Sequence, residues 1–164
     1  MGSAAFRPPR AALARCGGRL VPEWPDLHVV RGRLEKALVG HEIVLVRVGD
    51  PTVLRATSPI ETALAHRRFT AVRHRGKFLI FDLDKGAIVV NPMLAGVFEL
   101  TDAEAKLTRT TALSLVLDDG KDLRYRDDKR MGKVHVLDEG EGTTSVHGFD
   151  QLGPDAGDFT WNER

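Results

Sequence analysis

The sequence predicts a mainly β domain with two flanking helices (α+β), built as a two-sheet β-sandwich of about eight strands. Three observations predict it. Only two segments carry helical signals. Eight short segments rich in Val, Ile, Leu and Phe follow one another. Turn residues such as Asp-Lys-Gly and Asp-Gly-Lys separate them at hairpin spacing.

The elements follow in chain order. Pro25 suits the first turn of a helix, because its ring presets φ and its missing N–H is not needed there. Leu27, Val30, Leu34 and Leu38 then recur at spacings of three and four, which marks one buried face. Gly32 weakens this helix and Gly40 ends it. Glu42 to Val48 reads as a strand from its Val and Ile content. Ser58-Pro59-Ile60-Glu61 has the form of a capping box with proline at the first helical position, opening a short helix to about His66. Phe69 to Arg75 is a strand whose Phe69, Ala71 and Val72 break strict alternation. Lys77 to Leu83 and Ala87 to Val90 flank the turn Asp84-Lys85-Gly86. Val97 to Leu100 continues the β pattern. Leu113 to Leu117 and Asp122 to Arg126 flank Asp118-Asp119-Gly120-Lys121, and Val134 to Leu137 is the last strand. After Gly140 the chain turns polar and glycine-rich, and Leu152-Gly153-Pro154 reads as a domain exit.

Composition bounds the function. No run of about 18 apolar residues offers a transmembrane span. One cysteine, Cys16, rules out a disulfide framework and a paired-cysteine zinc site, and points to a reducing, cytosolic compartment. Residues 1–20 hold Arg7, Arg10, Arg15 and Arg19 and no acid. They read either as an arginine-rich targeting segment or as sequence upstream of a start at Val21. Without those four arginines, 20 basic residues face 23 acidic ones, so residues 21–164 are mildly acidic. Charge is nevertheless unevenly spread. His66 to Lys77 holds five formal positive charges and no acid, including Arg73, Arg75 and Lys77, and suits a phosphate-facing strip or a solvated strand.

Several residues are chemically suggestive. Pro22-Glu23 stands directly before the first helix. As a chain's first residue, a proline is a secondary amine that titrates near 8 and attacks a sugar C1′ to form an iminium, with Glu23 as proton donor. Internally, the same pair is a helix entry with an acid in its first turn. Met93-Leu94 sits in the loop Asn91 to Gly96, and Lys129-Arg130-Met131 in a basic turn. The first sets an apolar tip where it can wedge into the gap left by an extruded base or pack in the core, and the second can reach into a groove or be a plain basic turn. Six histidines show no metal-site spacing, and no glycine-rich phosphate loop is present. Asp127-Asp128 and Asp82 with Asp84 could pair as acids for metal or hydrolytic work, but turns explain both pairs more simply.

Taken in order, these segments carry a resemblance. Pro22-Glu23-Trp24-Pro25-Asp26, Arg31, Leu34 to Gly40, Val72-Arg73-His74-Arg75-Gly76-Lys77-Phe78-Leu79, Asn91 to Gly96, Leu123 to Gly132 and Leu152-Gly153-Pro154 together resemble the N-terminal domain of the formamidopyrimidine-DNA glycosylase and endonuclease VIII family. The resemblance implies the same sandwich and a bifunctional base-excision-repair activity. Pro22 would be the nucleophile, Glu23 the general acid and Lys77 a hairpin lysine at the DNA backbone. Leu94 falls where a gap-filling methionine is usual. Lys129 and Met131 fall where an arginine and a phenylalanine usually enter opposite the lesion, and Asn91-Pro92 replaces a usual His-Leu. Arg73, Arg75 and Arg130 are the further DNA-binding candidates. The implied partner is damaged double-stranded DNA, and the implied state a monomer in the bacterial cytoplasm, nucleoid-associated through DNA. No cofactor or metal is expected here, because the family's helix–two-turn–helix and zinc finger would follow residues 151–164, which read as the start of a linker. The catalytic domain is expected over residues 21–150. The alternative is a truncated, non-catalytic remnant that binds DNA weakly.

Overall fold

The computed structural model of the chain describes residues 24–152, with side chains from Leu27 onward. Pro22, Glu23, the 1–20 segment and the Gly153-Pro154 exit lie outside the described residues. Helix α1 spans Trp24–Leu38. Leu27, Leu34 and Leu38 are buried and Val30 partly so, as the spacing predicts. Gly40 follows at φ +90°, a left-handed conformation that ends the helix, and its N–H donates to the Phe69 carbonyl.

The strands are β1 (Ile43–Val48), β2 (Leu54–Ala56), β3 (Phe69–Arg75), β4 (Phe78–Leu83), β5 (Ala87–Asn91), β6 (Gly96–Asp102), β7 (Thr111–Leu117), β8 (Lys121–Asp127) and β9 (Lys133–Leu137). They form a four-stranded sheet, β1-β7-β8-β6, and a five-stranded sheet, β2-β9-β5-β4-β3. All pairings are antiparallel except β2 with β9. The broken alternation in β3 has a cause: its register with β4 shifts between Phe69 and Ala71.

The main core lies between the sheets. Aromatic rings bridge it in sequence, Phe69 to Phe81 at 6.2 Å, Phe81 to Phe98 at 5.5 Å and Phe98 to Tyr125 at 5.3 Å. β4 is buried on both faces, which explains its unbroken apolar run. On its outer side Phe78 and Ile80 join Val89, Leu137, Val146 and Phe149 in a second core.

Three expectations change. The strand β2 was not foreseen: it is three residues long and gains its place by pairing with β9. The second helix, α2, is Ile60–Leu64 and ends short of His66. Its capping box does not form. Pro59 occupies the cap with no side-chain bond, and the Ser58 hydroxyl donates instead to Asp138 across the fold. The polar stretch after Gly140 is also structural, because Val146 and Phe149 cover the outer face of the five-stranded sheet.

Candidate nucleic-acid interface

Strand register decides which residues can act together. β4 begins opposite the end of β5, with Leu79 facing Val90. β5 ends opposite the start of β9, with Asn91 facing Lys133. The turn containing Lys77, the crossover after Asn91 and the crossover before Lys133 therefore leave the five-stranded sheet at one end. The two crossovers run to the four-stranded sheet and land side by side, since Gly96 faces Asp127. They are adjacent at both of their ends.

Each crossover displays an apolar residue. In the first, the Asn91 side-chain oxygen accepts the Met93 N–H at 3.2 Å, and Gly96 N–H reaches the Pro92 carbonyl at 2.9 Å. Met93 adopts φ +50°, and Leu94 after it is 38% exposed. In the second, Asp127 accepts the Lys129 N–H at 3.1 Å and the Gly132 N–H at 2.6 Å. Arg130 adopts φ +54°, and Met131 after it is 39% exposed. In each loop an Asx-type bond two residues long is followed by a left-handed non-glycine residue and an exposed apolar side chain. Left-handed backbone at such residues is strained and is an observation pointing toward function.

The cations differ in availability. Arg73 makes a two-point bond to Asp82, at 2.5 and 2.8 Å, which raises its pKa, chiefly through that hydrogen bond. The Arg75 guanidinium lies 5.2 Å from the Phe149 ring centre, and Lys77 Nζ lies 5.6 Å from the Phe78 ring centre. Lys77 follows Gly76, whose φ of +54° makes the tight turn. Arg130 Nε pairs with Asp50 at 2.9 Å, so it is anchored to the turn before β2. Lys129 is exposed. Elsewhere in the basic strip, Arg68 donates to the Gly40 carbonyl and pairs with Glu42, and Arg67 donates to the Ala63 carbonyl. The strip is thus divided. Its first half holds the fold together and its second half reaches the loop end.

The start of α1 approaches this same end. His28 Nδ1 and His74 Nε2 are 3.3 Å apart, and His74 stands three residues before Lys77. Arg31 bonds Glu35 at 2.7 Å and reaches the Val72 carbonyl at 3.4 Å. Of the acid pairs, Asp82 serves Arg73, Asp84 accepts the Arg68 and Lys85 N–H groups, and Asp127 ties its loop. One metal-like group exists among the described residues, His41 with Asp118 and Asp119. Both nitrogens of His41 already face a carboxylate, at 2.7 and 3.7 Å, so it reads as a hydrogen-bonded contact between turns. No described helix is long and apolar enough to cross a membrane. The reading of Asp127-Asp128 as turn residues agrees with the Asx-type bond from Lys129 N–H to Asp127; the second bond, from Gly132 N–H, had no local sequence signal.

Cations beside two exposed apolar tips can grip phosphates and fill a gap in a base stack. Comparisons with known proteins show the family. The model of the formamidopyrimidine-DNA glycosylase N-terminal domain matches residues 21–134. The formamidopyrimidine-DNA glycosylase of Listeria innocua is 32% identical over 137 residues, covering 82% of this chain and 50% of the relative. That of Bacillus subtilis is 33% identical over 145 residues, covering 85% and 52%. This chain spans about half the length of the curated relatives it matches. Among solved structures, Lactococcus lactis Fpg with an abasic site containing DNA superposes with a TM-score of 0.67 at 23% identity, over 71% of this chain and 44% of that one. The same enzyme with a FAPY-dG containing DNA gives the same TM-score and identity. At that identity the likeness speaks for the fold.

Proposed function

Because this chain belongs to the formamidopyrimidine-DNA glycosylase family, through that family's N-terminal domain, we propose that it serves DNA base-excision repair as a glycosylase for oxidised bases and an abasic-site lyase. One observation carries the reading beyond family membership: the start of α1, the Lys77 turn and both apolar-tipped crossovers share one end of the sandwich.

On this reading the Pro22 nitrogen attacks C1′ of the damaged nucleotide. The bond from C1′ to the base breaks, and the base leaves with the electron pair and takes up the proton that the Pro22 nitrogen sheds. Glu23 protonates the ring oxygen as the sugar opens, and the nitrogen and C1′ become an iminium. Loss of a C2′ proton then expels the 3′ phosphate, and a further elimination expels the 5′ phosphate. Lys77 and Arg75 hold the backbone phosphates, while Leu94 and Met131 occupy space vacated by an extruded nucleotide. Lys129 is a point charge and cannot make the two-pronged base contact an arginine makes. The partner is damaged double-stranded DNA and the location cytoplasmic.

The amine exists only when Pro22 is the first residue, since an internal proline is a tertiary amide. Borohydride trapping on abasic-site DNA tests this. Protein beginning at Pro22 should give a covalent adduct, and the 164-residue form and Pro22→Gly should give none. Absence of an adduct with the Pro22-first protein would leave the non-catalytic reading.

A further inference from the structure

We propose that Tyr125 and Asp127 form a latch that holds the two crossovers as one unit, making them positioning residues for Leu94 and Met131; this rests on the repair reading above. The Tyr125 ring is set by the core, 5.3 Å from Phe98 and 3% exposed. Its hydroxyl emerges between the loops. A Cβ on Gly96 would fall 2.3 Å from that oxygen, and one on Gly132 only 1.9 Å. No side chain fits at either place, so the phenol touches the backbone of both crossovers at once.

Asp127 completes the contact. It is 4% exposed, and one oxygen accepts the Gly132 N–H at 2.6 Å while lying 3.5 Å from the Tyr125 hydroxyl. Its other oxygen accepts the Lys129 N–H at 3.1 Å. The carboxylate therefore grips the second loop on both sides of Arg130 and Met131. The two N–H groups bond different oxygens, and an uncharged amide puts an acceptor at only one of those positions and an NH2 donor at the other. Burial pushes the Tyr125 phenol's pKa up, so it remains a neutral donor. Through the phenol, what happens at Asp127 reaches Gly96 and the turn that presents Leu94. The strained residue before each apolar tip is kept left-handed by this scaffold. Nothing in the repair chemistry requires Tyr125 or Asp127 to touch the substrate.

Asp127→Asn and Tyr125→Phe test the latch, each conservative enough to keep the core. Binding is read with two duplexes, one intact and one with a tetrahydrofuran abasic-site analogue opposite 2-aminopurine. Both variants should hold the intact duplex as wild type does. Asp127→Asn should lose about tenfold in affinity for the abasic duplex, the scale of a lost charged hydrogen bond, and with it the 2-aminopurine fluorescence rise. Retained preference for the abasic duplex in both variants would overturn the latch. Amide exchange in the DNA-free protein gives a separate reading. Asp127→Asn should speed exchange at Lys129 and Gly132 and also at Met93 and Gly96 in the other loop. Acceleration confined to Lys129 and Gly132 would show that the loops move independently and would overturn the proposal. A wild-type protein indifferent to the abasic site sinks the repair reading instead, and the exchange result still decides whether the loops are coupled.

Discussion

Asp122 is fully buried on the outer face of the four-stranded sheet, an expensive place for a charge. It is compensated three times. Ser114 donates to it at 2.7 Å, Arg47 at 2.9 Å and Arg124 at 2.7 Å. Arg124 is itself 2% exposed and also donates to the Lys106 and Ala105 carbonyls, which fixes the loop covering this face. Removing one member of a buried pair strands the other, so Asp122→Ala should lower stability by about 3–5 kcal/mol. Urea unfolding measures it, and a loss near that of a surface pair would contradict the buried arrangement. His135 is a second residue with a defined consequence. It lies between Arg55 of β2 and Val89 of β5, and its pKa is lowered from 6.5 by burial first, then by Arg55 and Lys133. The unfolded chain then binds its proton at higher pH than the folded one. Stability is therefore lost as pH falls below 6.5 toward the folded value. A proton NMR titration should place the His135 midpoint below 6.5, and His135→Gln should flatten the stability slope in that window.

Among the elements, β4 shows how a strand buried on both faces depends on what covers it. Its inner residues Leu79 and Phe81 belong to the main core, and its outer residues Phe78 and Ile80 need a lid. Val146, Phe149 and Leu152 supply that lid, with the Phe149 ring 5.5 Å from Phe78. Phe149→Ala should cost about 3 kcal/mol, at the low end for a buried phenylalanine because the site is peripheral. The same change removes the surface under Arg75. Thermal unfolding of the variant checks the first effect. A neutral result would mean the 143–152 segment is not a structural part of the domain.

At the scale of the whole molecule, side-chain hydrogen bonds tie turns far apart in sequence. His41, just after α1, bonds Asp118 in the β7–β8 turn at 2.7 Å. That hydrogen bond is the main reason the Asp118 pKa is lowered from 3.8. A depressed carboxylate stabilises the fold above its unfolded value and loses that share as pH falls through the lower folded value. This pair should therefore add a small share to the fall of the unfolding midpoint below about pH 4, and His41→Asn should remove that share. An unchanged acid limb in His41→Asn would count against the pair. The linear sequence already determined much of this protein. Apolar periodicity marked α1, because one helical face must be dry. Val, Ile, Leu and Phe content marked eight of the nine strands, and hairpin turn chemistry marked four of those, because Asp and Gly in the two turns have local backbone reasons. Ordered motifs marked the candidate residues from Pro22 to Met131. Only the tertiary structure decided the rest. β2 exists because β9 offers it a parallel partner, and three residues carry too little local preference to announce a strand. Ser58 leaves its helix cap for Asp138, and Arg73 is spent on Asp82, because competing partners arrive from elsewhere in the chain. The glycines at 96 and 132 answer to a phenol on another strand. These outcomes depend on long-range contacts, whose cost and reward are not written in any local stretch of residues.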